Sequence, residues 1–187
     1  MVNTHRPFAQ INAFSMQNGF ILGLWVIFAH CAMLASFEYE ILSLVSVFMF
    51  LSAPIVLFLL SKQFRKTVAP EGLFTITQGF LHTFLNMVYA STWVALAIFI
   101  YFAYFDKGYV FDAYEAYLQR PEVVELLSQK EIQQQMAVSL QGMTIEETLN
   151  GLRTTPPSMF AGMIFYANLM VAPIVSLFIA FFLKRQK

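Results

Sequence analysis

Charge is scarce in this chain: only 12% of its 187 residues are Asp, Glu, Lys or Arg. A soluble domain carries about 25%, so an ordinary soluble composition is excluded. Cysteine is scarcer still. Cys31 stands alone in an apolar run, which excludes an internal disulfide and a thiolate metal cluster and leaves the redox compartment open. Basic residues are not in excess, with 11 Lys and Arg against 11 Asp and Glu, so the electrostatic footprint of a nucleic-acid binder is missing. Also missing are a Gly-rich phosphate loop, an HExxH pair and a CxxC pair.

What is present is hydrocarbon. The chain is 58% hydrophobic with 21 Phe and a mean hydropathy of +0.63. From Thr75 to Phe105 no side chain is charged over 31 residues, enough for a helix to cross a bilayer with a turn or two to spare. At 100° per residue, Thr75, Gln78, His82, Asn86, Tyr89 and Trp93 fall within an arc of about 80°. A helix facing lipid all round has no use for such a stripe, whereas one inside a bundle does. This stretch is therefore expected to be the central helix.

Residues 1–17 are polar and mildly amphipathic, with Phe8, Ile11 and Phe14 spaced by three, and are expected to form a short interfacial helix or a disordered lead. A first span is expected over 18–37. Its apolar stretch is too long, and begins too late, for a secretory signal, so it reads as retained. Gly19 and Gly23 form a GxxxG pair with His30 on the same face, which predicts a close helix–helix contact, within the chain or across a homodimer.

The acidic turn Glu38-Tyr39-Glu40 leads into a second span, 41–61, with Pro54 expected to kink it. Lys62, Arg65 and Lys66 follow at the membrane edge. Pro70 and Glu71 suit the opening of the third helix, whose span is 75–105. Residues 106–157 form the only sizeable polar segment. Helical patterns cover Asp112–Leu118 and Pro121 to about Leu140, and Thr144 with Glu147 fits a capping box for a short helix ending near Gly151. About 50 such residues cannot bury a core of their own. A fourth span, 158–183, starts with Ser158 as its cap, carries Ala161, Asn168, Ala172 and Ser176 on one face, and ends in Lys184-Arg185-Gln186-Lys187.

The fold expected is thus all-α, a single four-span membrane domain with an amphipathic helical insert between helices three and four. Seven of the eleven basic residues and only one of the eleven acids fall on the side of both termini. The positive-inside rule then predicts N-in and C-in, with the insert outward.

Intramembrane polar groups are functional candidates by default, here His30, Gln78, His82, Asn86, Tyr89 and Asn168. His82 lies about 7 Å above the inner end of its helix and His30 about 18 Å up the first, at 1.5 Å per residue. One metal ion, with its nitrogens about 2 Å away, cannot bridge that offset. No span holds a carboxylate, so neither a metal set nor a proton relay is completed. These side chains are expected to hydrogen-bond neighbouring helices, with His30 near Asn168 in the outer half. Asp112, Glu115, Glu122, Glu125 and Glu131 are spaced as solvated helix faces, not as a hydrolytic pair.

In Asn18-Gly19-Phe20-Ile21-Leu22-Gly23, in Ile76-Thr77-Gln78-Gly79-Phe80 and in the aromatic run Tyr101-Phe102-Ala103-Tyr104-Phe105-Asp106, the chain resembles the small bacterial membrane proteins of domain of unknown function 4199. The likeness extends over essentially the whole chain and implies four spans, a tight first hairpin and a helical insert before the last span. It assigns no catalytic residue and no cofactor. It implies a partner, a membrane-associated polyprenyl-phosphate glycosyltransferase. The function expected is accordingly non-enzymatic: an integral subunit of the bacterial inner membrane that anchors or orients a partner protein. Lys62, Arg65, Lys66, Lys184 and Arg185 are its candidate contacts to anionic lipid heads or to that partner. The alternative is a small transporter or flippase component using the polar stripe of the third helix.

Overall fold

A computed structural model describes residues 6–69, 72–140 and 142–184. Its helices are α1 (Arg6–Ala35), α2 (Ile41–Val68), α3 (Ile76–Ile100, continued by a π-helical turn, Tyr101–Phe105), α4 (Tyr109–Leu118), α5 (Pro121–Leu127), α6 (Lys130–Ser139), α7 (Ile145–Arg153) and α8 (Pro157–Leu183). Among the described residues there is no strand. α1, α2, α3 and α8 are each long and apolar enough to cross a membrane.

The packing is that of a bundle built for lipid. The large apolar side chains Phe48, Leu51, Met170 and Ile174 point outward, each more than 70% exposed. Ser15, Ser46, Ser61, His82, Thr83, Asn86 and Ser176 are buried. In water this pattern would be an aggregation hazard. In a bilayer, tails are as apolar as Leu, so helices associate through small residues and interhelical hydrogen bonds instead.

α3 is the hub, lying along α1 on one side and α8 on the other; α2 rests on α1 and touches α3 and α8 lightly. Small residues set both close approaches. Gly79 meets Ala180 with its would-be Cβ 3.2 Å away, and Gly19 and Gly23 lie against the α3 backbone around Asn86 and Ala90. The glycine face is therefore filled by α3 of the same chain. Of the two forms that the expected close contact could take, the one within the chain is made.

Several boundaries differ from the sequence reading. Residues 6–17 are neither a lead nor a separate interfacial helix but the first turns of α1. Ile11 and Ser15 are buried and continue the Leu22 face downward by helical steps, so a polar stretch was drawn into the bundle. α2 runs past Ser61 to Val68 and stays helical through Pro54. Pro70 and Glu71 lie outside the described residues, and α3 starts later than they imply. Thr75 is its cap, its side chain accepting from the Gln78 N–H while Gln78 Oε1 accepts from the Thr75 N–H at 2.9 Å. That capping box decides the start of the helix. Phe74 just before it is buried on Phe64.

Ser158 does not cap α8. Pro156 is the N-cap and Pro157 the first helical residue, where a missing N–H costs nothing. The Pro121–Leu140 segment breaks into α5 and α6 at Ser128–Gln129. Thr144 and Glu147 do form a capping box on α7.

The insert hangs on the bundle at one end. Asp106 is buried, and its carboxylate accepts from the Gly108 and Val110 N–H groups, both at 3.0 Å, to start α4. Phe111 joins Phe102 and Phe160 in an aromatic cluster. Arg120 pairs with Glu40 of the first hairpin at 2.7 Å, and Arg153 of α7 reaches Asp112 and Glu115 of α4. All three pairs are solvent-exposed and contribute little on their own.

Candidate functional site

The polar stripe of α3 resolves into separate contacts. His82 is fully buried, its ring stacked on Phe64 with centroids 4.0 Å apart. Its Nε2 lies 3.2 Å from Asn18 Nδ2 of α1, and its Nδ1 lies 3.2 Å from Ser61 Oγ of α2. An amide nitrogen only donates, so Nε2 accepts and Nδ1–H donates to Ser61. Ser15 Oγ donates to the His82 carbonyl at 3.1 Å. One neutral imidazole thereby ties three helices together.

Two turns along, Tyr89 Oη donates to Asn12 Oδ1 at 2.7 Å. Gln78 is spent at the start of its own helix and reaches no neighbouring span. Trp93 stacks edge-on against Phe20. Asn86 differs from all of these: it is completely buried, and neither amide atom has a hydrogen-bond partner among the described residues.

The second group lies nearer the insert. His30 Nδ1 donates to the Val26 carbonyl at 2.8 Å, and the ring meets the Phe50 ring edge-on at 4.9 Å. Asn168 Nδ2 donates to the Ile164 carbonyl of its own helix. His30 and Asn168 line one cavity of about 350 Å³ between the four long helices, with no hydrogen bond between them. His82 meets α1 at Asn18, and His30 lies twelve residues further along that helix, about 18 Å at 1.5 Å per residue. Among the described residues, no group of His, Cys, Asp and Glu is arranged to hold a metal ion.

Of the basic candidates, Lys62, Lys66 and Lys184 are exposed. Arg65 Nη1 donates to the Leu183 carbonyl at 3.0 Å and so caps the C-terminal end of α8. Arg185 lies outside the described residues. In the insert, hydrogen bonds from Arg153 occupy Asp112 and Glu115, and the Asp112 bond first of all raises the Arg153 pKa. Glu122, Glu125 and Glu131 are exposed.

Sequence reasoning missed the partners of the stripe: Asn12, Ser15, Asn18 and Ser61. The 11–15–18–22 spacing was a usable signal, since it carries the α1 interior face below Asn18. Nothing local marked Ser61, which matters only because α2 brings it opposite His82.

No curated protein and no solved structure matches the chain. A family model described as "Protein of unknown function (DUF4199)" matches residues 17–185, which include all four apolar helices and the insert apart from the first turns of α1. The chain therefore belongs to that family.

Proposed function

We propose that the protein is a non-enzymatic subunit of a bacterial inner membrane complex that anchors or orients a partner, with both termini cytoplasmic and the insert on the opposite side. The observation carrying this reading is how the intramembrane polar groups are used. His82, Ser61, Asn18, Ser15, Tyr89 and Asn12 hydrogen-bond one another across helices, which serves rigidity rather than turnover. The insert supports an anchoring role, since Tyr114, Val124 and Val138 present apolar surface beside solvated acids. The candidate partner is a polyprenyl-phosphate glycosyltransferase, and exposed Lys62 and Lys66 are its cytoplasmic handles.

Affinity purification of the full chain in a mild detergent, with quantitative mass spectrometry, tests the reading. A stoichiometric glycosyltransferase, lost on changing Lys62→Gln and Lys66→Gln together, is expected; Arg65 is left alone because it caps α8. A chain that purifies only with itself refutes it. Orientation is tested by membrane-impermeant thiol labelling of Lys62→Cys and Gln129→Cys in a Cys31→Ser background. Only the second is expected to react from the outer side in intact spheroplasts.

A second reading is favoured by Asn86, whose two unpaired amide atoms are the kind of group a polar path offers. If the protein is a transporter or flippase component, Asn86→Leu abolishes flux while the bundle stays folded.

A further inference from the structure

The cavity lined by His30 and Asn168 is not filled by the chain's own polar bonding. α2 leans on α1 and barely touches α3 and α8, and small side chains, Ala53 and Ala90, stand where the gap opens. Its lining comes from all four long helices, and beside the hydrocarbon it presents three polar groups, His30, Ser91 and Asn168. A second cavity of about 420 Å³ adjoins it, sharing His30, Val94 and Ile164 and running on past Phe102 and Phe160. Among the described residues, no charged side chain lines either cavity. Each is within the size range of ligand pockets, about 300–1,000 Å³.

His30 stands at the junction, lining both cavities, and one hydrogen bond sets its tautomer. Its Nδ1 lies 2.8 Å from the Val26 carbonyl, and a carbonyl only accepts, so Nδ1 carries the hydrogen. In the neutral ring Nε2 is then a lone-pair acceptor, on a side chain that borders both cavities. Asn168 uses one amide hydrogen on Ile164 and keeps its oxygen and other hydrogen. The site thus asks for a neutral head that both donates and accepts, attached to a chain that fills apolar space. A phosphate or carboxylate would be buried without a counter-charge, at prohibitive cost.

We propose that the two cavities form one binding site for a single hydrocarbon chain bearing a hydroxyl, with the hydroxyl donating to His30 Nε2 and the chain lying along Val94, Phe102 and Phe160. The site is distinct from the His82 cluster and holds whether or not the protein anchors a partner.

The full-length protein, reconstituted in phosphatidylcholine nanodiscs, would be photolabelled with hexadecanol carrying a mid-chain diazirine, and separately with its methyl ether. Labels are expected in peptides around His30, Phe102 and Phe160, with the alcohol preferred about threefold, the worth of one intramembrane hydrogen bond. His30→Phe keeps an aromatic edge for Phe50 and is expected to abolish the preference. Ala97→Phe, at a half-buried wall position of the second cavity, is expected to reduce labelling by both probes. Equal labelling by alcohol and ether, a preference that survives His30→Phe, or full labelling of a folded Ala97→Phe variant overturns the proposal. So does displacement of the probe by ionised hexadecanoate as readily as by hexadecanol.

Discussion

Gly19 faces α3 at a distance no side chain tolerates, and that makes the α1–α3 contact measurable. A Cβ built at Gly19 sits 2.5 Å from Tyr89 Cβ and 2.8 Å from the Asn86 carbonyl oxygen. Neither atom is the tip of a flexible side chain, so the helices must separate by roughly 1 Å to restore ordinary contact near 3.5 Å. The bonds around Gly19 then stretch together. Ser15 to the His82 carbonyl is 3.1 Å and Asn18 to His82 is 3.2 Å, and both pass out of hydrogen-bond range. The Tyr89–Asn12 bond at 2.7 Å weakens with them. At about 0.6 kcal/mol per intramembrane bond, plus about 1–3 kcal/mol for overpacking, Gly19→Ala is expected to cost about 2–4 kcal/mol. At Gly23 the nearest atoms are Trp93 Cβ at 3.1 Å and the Ala90 carbonyl at 3.3 Å, a misfit of tenths of an ångström. Gly23→Ala is expected to cost under about 1 kcal/mol, since a small overlap is relieved by small shifts. Reversible unfolding in mixed dodecylmaltoside–SDS micelles, followed by circular dichroism, gives both values. A Gly19→Ala variant as stable as the parent, or less damaged than Gly23→Ala, refutes the close approach.

Other perturbations test other contacts. Asn86→Leu replaces a fully buried amide lacking partners with an apolar group of similar shape, so the same unfolding assay is expected to show stabilisation by about 1–3 kcal/mol; a loss means that the amide has a partner after all. Arg65→Met removes the donor that caps α8 at Leu183 and is expected to cost about 1 kcal/mol, with faster hydrogen exchange confined to the last turn of α8. Thr144 hydrogen bonds, the backbone N–H first, hold the Glu147 carboxyl below its ordinary value of 4.5. Lowering the folded-state value makes the cap's contribution complete above the ordinary value and removes it as pH falls through the depressed one. Exchange protection in α7 is therefore expected to drop only on strong acidification, and Glu147→Gln, which still accepts, is expected to abolish that pH dependence. Arg153→Gln breaks two exposed pairs and is expected to leave the unfolding midpoint unchanged, because solvent screens them.

What the sequence disclosed follows from how the forces act along the chain. Hydrocarbon run length is a local property, so the four long helices could be read directly, as could the capping box at Thr144, which needs only residues three apart. The same rule applied at Thr75 and Gln78 would have placed the start of α3. Pro70 and Glu71 outweighed it because their preference for a helix N-terminus is a propensity, whereas the box is a pair of hydrogen bonds. α1 was read short for a related reason. Hydropathy marks where lipid touches a helix, and Asn12, Ser15 and Asn18 touch other helices instead. Polar residues at helical spacing next to an apolar run therefore extend a bundle helix rather than end it.

The stripe of α3 was visible as a pattern, but its meaning was not. An arc of polar residues says only that one face is interior. Whether His82 is held by Asn18 and Ser61, and whether Asn86 is left without a partner, depends on which side chains the neighbouring helices present at that level, and for α1 that register is set by its glycines. Gly19 lets α1 approach closely enough for Asn18 and Ser15 to reach His82. With any larger residue there, the same stripe would face a gap. The cavity at His30 is the converse case, since α2 meets α3 without a glycine contact of that kind and the bundle stays open between them. Close approach at one level and separation at another come from where small residues fall on neighbouring helices. That is information about pairs of helices, which no single segment carries.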